Sequence, residues 1–481
     1  MDRSAGRLLG VLTVAALALA GCKPPPPPPL PKTGERPPVA VAREAERERE
    51  ALEAATEAYV YGYPLVSAEL ARRVATNVDR PTGAQAPMGQ LARFPSAESP
   101  AGTRPRGSLD TLQFEAWLDV TAGPWVLSLP EARGRFHAVA IRSAWSDVLD
   151  VSGGKGSKGR ATRIAVASSG WAGKAPAGLR VVRSPTALVR VEGRVLAVGG
   201  PNDRSEAQGW LERISLLPLG ASPRRYAPPP GRRDASLDVT APVRDQVHAL
   251  DAVAYFRLLA TLLKANPPAP GDAAILAALA HIGLVPGQDY EPAGLDASVI
   301  KALAGAPRAA QERILAAAGS APAVNGWSVA GAAAAAPGFL GRAAAVAAGH
   351  DRALEAVALA CEVDGAGRPL DGATGLALRF TRGKGPPAEV LWTLTAYDEH
   401  GAPVAGKSGH GQLTSRNKFQ YGRDGSLELL LQAAPPAGRE ANWLQVPEGR
   451  YAVVLRLHAP RERPPSVLDG SWKPPSIGKA R

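Results

Sequence analysis

An α+β chain is expected from three observations. A charged helix opens the folded part, an Ala-rich helical stretch occupies the middle, and short alternating segments broken by Gly and Pro lie on either side of that middle. The reading is an N-terminal sheet-rich domain with a leading helix over 39–235, a helical segment over 236–365, and a C-terminal antiparallel β-sandwich, jelly-roll-like, over 366–481. Removing residues 1–21 from the 481 leaves 460, enough for two or three domains with sizeable cores.

The first 21 residues read as a signal peptide. Arg3 and Arg7 precede an uncharged run from Leu8 to Ala20, which is shorter than the ~20 residues a bilayer span needs. Leu19-Ala20-Gly21-Cys22 resembles the bacterial lipobox, which implies cleavage before Cys22 and acylation of its thiol. Lys23 follows where an aspartate often marks inner-membrane retention, so the expected location is the cell envelope, lipid-anchored to the outer membrane and facing the periplasm. Residues 22–38 then form a linker in which Pro24 to Pro29 make a polyproline rod about 20 Å long, holding the body off the headgroups. With Cys22 acylated, only Cys361 remains, so no intramolecular disulfide forms and stability rests on burial.

The leading helix, "VAREAEREREALEAATEAYV", has opposite charges at helical spacing and is expected to reach Tyr61 before Gly62 and Pro64 interrupt it. "PWVLSLP", "GRFHAVAIRSAW", "TRIAVASSGW" and "LRVVRSPTALVRVEGRVLAVGG" alternate as strands. "LDAVAYFRLLATLLKA", "AAILAALAHIGL" and "RALEAVALACEV" read as helices, the last placing Cys361 in a core. Strands return in "LALRF", "EVLWTLTAYD", "SLELLLQ" and "RYAVVLRLHAP".

The net charge of +12 is spread along the chain without the basic-aromatic cluster or motif a nucleic-acid binder needs. Anionic envelope glycans are the more natural partners, or an envelope protein. The seven histidines are scattered without metalloprotease spacing, so no metal is expected, and no Gly-x-Ser-x-Gly elbow occurs. "GAPVAGKS" satisfies the phosphate-loop pattern formally, but a turn and strand follow it where a helix is required. "SGGKGSKGR" lacks that order and reads as a basic hairpin. No cofactor is expected.

The first half contains "EAYVYGYPLV", "DTLQFEAWLDV", Trp145 and "RSPTALVRVEGRVL". The second contains "GFLGRA", "LWTLTAYD", "DGSLELLLQ", "NWLQVP", "RLHAP" and "WKPP". In their order and spacing these segments resemble a pair of bacterial domains of unknown function, the families numbered twelve-fifty-four (N-terminal) and twelve-fourteen (C-terminal). Ser108 stands where the first family has asparagine, Gly89 and Gln113 replace an asparagine and a tyrosine, and Leu391 and His458 replace a phenylalanine and a tyrosine of the second. The resemblance implies a fold and no settled reaction.

Candidate ligand-binding residues are Asp110, Arg135, Trp145, Trp392, Asn442, Trp443 and Arg456. Asp110 either binds a ligand hydroxyl, pairs with Arg135, or closes a turn. Arg135 and Arg194 read equally as ion-pair partners or anion contacts. Trp392 and Trp443 stack on sugar rings or pack in a core, with Asn442 and Arg456 supplying bonds to hydroxyls or carboxylates. The expectation is a non-catalytic binding or scaffold lipoprotein. The alternative is a lyase acting on an acidic glycan, in which Arg416 neutralises the carboxylate while His410 and Tyr421 move the proton.

Overall fold

The computed structural model describes residues 38–94, 108–154, 159–319, 323–330, 338–348, 356–404 and 410–480. The signal segment, Cys22, the proline run and parts of both glycine-lysine loops lie outside the described residues.

Helix α1 spans Pro38–Ala75. It does not stop at Gly62 and Pro64 as the sequence suggests. Tyr59, Tyr61, Tyr63, Leu65 and Val66 are all buried around that point, and packing outweighs the local cost of the proline. Gly62 is needed for a close approach, since a Cβ there would meet Leu259 Cδ2 at 2.6 Å. The partner helices are α3 (Val243–His248), α4 (Ala252–Leu263), α5 (Ile275–His281), α6 (Ala297–Gly319) and α7 (Gly338–Ala347). Together with α1 they build one helical core, in which Tyr255 stacks on Tyr59 at 3.8 Å and donates to the Tyr59 carbonyl at 2.7 Å.

The N-terminal sheets face each other. The first joins β1 (Ala92–Phe94), β2 (Thr111–Asp119), β8 (Leu188–Leu196), β4 (His137–Ser143) and β5 (Val148–Gly153), in that spatial order. The second joins β7 (Arg180–Ser184), β6 (Thr162–Ser168), β3 (Trp125–Leu129) and β9 (Ser215–Pro218). Leu112, Phe114 and Val191 from the first meet Leu127, Ile164 and Val166 from the second, with helix α2 (Pro201–Glu212) closing the end through Trp210. Phe114 lies opposite Gly193, which leaves room for its ring.

The C-terminal region is also two-layered. One sheet runs β10 (Trp327–Ala330), β11 (Ala356–Cys361), β17 (Tyr451–Pro460), β13 (Ala388–Asp398), β14 (Gln412–Thr414). The other runs β16 (Trp443–Gln445), β15 (Leu427–Gln432), β12 (Leu376–Phe380), β18 (Ile477–Lys479), with only β15 and β16 parallel. Residues 356–361 are therefore strand, not the helix expected of "LEAVALACEV". Alternate burial of Val357, Leu359 and Cys361 fits a period of two, which an Ala-rich run this short does not distinguish from a helix. Cys361 is in the core, where burial pushes its thiol up to about 12.

The Phe114–Gly193 fit is testable. A Cβ at Gly193 would stand 2.3 Å from the Phe114 ring, so Gly193→Ala should lower unfolding free energy by about 1–3 kcal/mol in a denaturant titration. An unchanged midpoint would show that the ring gives way freely.

Candidate functional site

The side chains of β13 and β17 divide between two faces. Trp392, Leu394 and Leu455 point into the sandwich, while Thr393, Thr395, Tyr397, Arg456 and His458 share the opposite face through the pairings Leu391↔His458, Thr393↔Arg456 and Tyr397↔Ala452. That second face would ordinarily be wet. Here every residue of β17 is buried, because the N-terminal region covers it. Phe136, Ala138, Ala140 and Leu196 pack on Leu391 and Ala459 to form the dry part of the contact.

Asp110 is the polar centre of this junction. Its backbone is fixed by the Ala197 N–H, which donates to Asp110 O at 2.7 Å as the β2–β8 ladder begins. Its side chain is fully buried, as is that of His458. His458 Nε2 lies 2.7 Å from Asp110 Oδ2, which also accepts from Thr393 Oγ1 at 2.7 Å. Asp110 Oδ1 accepts from Ser108 Oγ at 3.0 Å and Gln412 Nε2 at 3.1 Å. Arg456 lies close, donating to the Tyr397 hydroxyl at 2.8 Å. Burial alone would raise the Asp110 carboxyl. The His458 bond and charge, the Arg456 charge and the Thr393 bond overcome it and hold the group well below the usual carboxylate range. An ionised Asp110 offers only acceptors, so His458 Nε2 carries the donated proton, and His458 Nδ1 is buried with no hydrogen-bond partner among the described residues.

Elsewhere on the same N-terminal sheet, a ladder of alternating charge crosses β4, β8 and β2. Arg142 meets Glu192 at 2.5 Å, Arg190 reaches both Glu192 at 3.2 Å and Glu115 at 2.8 Å, and Trp117 Nε1 donates to Glu115. Two cations face two anions, the balance that a half-buried face requires.

A cavity of about 870 Å³ opens where the same two regions meet. Arg135, Asp203, Glu206 and Arg213 line it from the N-terminal side, and Val390 and Arg416 from the C-terminal side. Arg135 is committed: it donates to Asp203 at 2.6 Å, Glu206 at 2.8 Å and the Leu196 carbonyl at 2.9 Å. Burial would raise the Asp203 carboxyl, but the Gly199 N–H, Arg135 and the charge of Arg416 hold it low. Arg213 and Arg416 form no ion pair among the described residues.

The other candidates are separate. Trp145 packs against Tyr61 in the helical core at 4.7 Å, its indole N–H without a partner among the described residues. Trp392 is 8% exposed, with Phe419 stacked on it at 5.8 Å. Trp443 is 5% exposed and donates to the Gln432 carbonyl at 2.8 Å. Asn442 exchanges bonds with the Gln420 backbone in both directions and donates to the Glu428 carbonyl. Of the seven, Asp110 and Arg456 come together across the junction between the two regions. Sequence reasoning missed Thr393 and Gln412 as partners of Asp110, and Asp203, Glu206 and Arg213 in the cleft. The alternation of Arg456 and His458 in "RLHAP" was the available signal for the first group; no motif marks the second.

Asp110 sets a pH dependence. A carboxyl held below its unfolded value of ~3.9 contributes stability that is fully present above that value and is lost as pH falls through the folded one. Asp110→Asn should cost about 3–5 kcal/mol at pH 7 in denaturant titrations, and the gap from the native chain should narrow below about pH 4. A gap independent of pH would contradict the ionised, bonded carboxylate.

Residues 88–218 match the family model described as "Protein of unknown function (DUF1254)", and residues 355–462 match "Protein of unknown function (DUF1214)". Among solved structures, the VPA0106 protein from Vibrio parahaemolyticus is similar with a TM-score of 0.68 at 19% identity, over 90% of this chain and 100% of that one. A putative uncharacterized protein from Burkholderia cenocepacia is similar with a TM-score of 0.39 at 12% identity, over 91% and 95%. The first likeness is one of fold. No curated protein matches the chain. The chain thus matches the DUF1254 model in its N-terminal part and the DUF1214 model in its C-terminal part, and the Asp110–His458 contact joins residues of one match to residues of the other.

Proposed function

We propose that this is a lipid-anchored envelope protein whose cleft binds an acidic glycan without transforming it. The observation that carries the reading is the pair Arg213 and Arg416. Each of the two family-matched regions contributes one, both line the same cleft, and neither is neutralised by an ion pair among the described residues. The cavity of about 870 Å³ lies in the range of small-molecule sites. Arginine forks suit carboxylates, and Arg135, already saturated by Asp203 and Glu206, holds the floor in place. Neither His410 nor Tyr421 lines the cleft beside Arg416, which favours binding over elimination. The lipobox-like Leu19–Cys22 supports the anchor.

Calorimetric titration of the full chain with tetragalacturonate tests this. The native chain should bind, and Arg213→Ser with Arg416→Ser should weaken binding at least about tenfold, close to 1.4 kcal/mol. Ultraviolet absorbance should not grow. Absence of binding would return the protein to a protein-partner scaffold, and absorbance from unsaturated product would make it a lyase.

A further inference from the structure

Beyond β9, residues 221–236 run as an irregular arm along the segment that follows α1. The Gly231 N–H donates to Asp79 O at 3.0 Å, and Gln90 Nε2 donates to Pro229 O at 2.8 Å. Asn77 bridges to Asp234 in both directions, accepting from its N–H at 2.6 Å and donating to its carbonyl at 3.0 Å. The approach is close enough to require glycine: a Cβ at Gly231 would stand 2.0 Å from Val78 O. Pro228, Pro229 and Pro230 stiffen the backbone between these points. The arm is a fixed ridge.

Arg224, Arg225, Arg232 and Arg233 stand exposed on it. Among the described residues, none of their guanidiniums makes a hydrogen bond or an ion pair. No acidic residue occurs between Leu219 and Arg233. Asp234 comes next, but its carboxylate accepts from the Ser236 N–H at 2.9 Å and Ser236 Oγ at 2.6 Å. Uncompensated like charges on a fixed surface repel one another until an anion arrives.

We propose that this ridge is a docking surface for an acidic polysaccharide. Guanidinium forks match carboxylate and sulfate groups, and two arginine pairs flanking a proline run match anionic groups repeated along a chain. Being already ordered, the ridge loses little conformational freedom on binding. Tyr226 is the single aromatic in the stretch, so the stacking platform that single-stranded nucleic acid uses is missing. The inference rests on the envelope placement proposed above and is independent of the cleft.

Immobilised polygalacturonate, with neutral dextran as control, provides the test on the full chain. Replacing the four arginines by serine should weaken polymer binding at least about tenfold and flatten its salt dependence, whereas replacement by lysine should keep the salt dependence and weaken binding less than serine does. The Arg213→Ser, Arg416→Ser chain should still bind the polymer, and the ridge variant should still bind tetragalacturonate, so the two readings fail separately. Undiminished polymer binding by the serine variant would overturn the ridge. So would an arginine-dependent preference for phosphatidylglycerol vesicles over the polymer, which would make it a lipid contact.

Discussion

A carboxylate with no exposed surface must be met by donors on all sides, and Asp110 is met almost entirely by another domain. Thr393, Gln412 and His458 arrive from β13, β14 and β17, and only Ser108 is local. The apolar contact of Phe136 and Leu196 with Leu391 and Ala459 supplies area but little direction. The polar cluster supplies register, because displacing the sheets by one residue would strand a buried charge. The cleft depends on this register, since Arg416 is carried by the C-terminal domain and Arg213 by the N-terminal one.

Much of the fold is legible in the sequence because its period-two and period-3.6 segments are long. The α+β class and the helical middle follow from those periods. The exceptions are physical. Pro64 lies within a helix whose tyrosines are buried on several sides, so packing overrides the proline. Residues 356–361 are short and Ala-rich, and the pairing with β17 decides that they are strand.

The candidate site was legible only in fragments. Asp110 and Arg456 stand out as polar residues near strands, yet nothing in one dimension tells that the outer face of β17 is covered by another domain. The tryptophans suggest sugar stacking in isolation, but Trp392 and Trp443 are covered by neighbours. Charges that do face solvent, Arg213 in the cleft and the pairs at 224–225 and 232–233, lie in stretches without a motif. Their meaning comes from what stands beside them.

Asp110 and His458 act together to hold the two domains in register. A double-mutant cycle with Asp110→Asn and His458→Gln, followed by denaturant unfolding at pH 7, measures this directly. A coupling of more than about 1 kcal/mol is the result expected for two buried groups in contact. Additivity within about 0.5 kcal/mol would contradict it, and the junction would then be held by apolar contact alone.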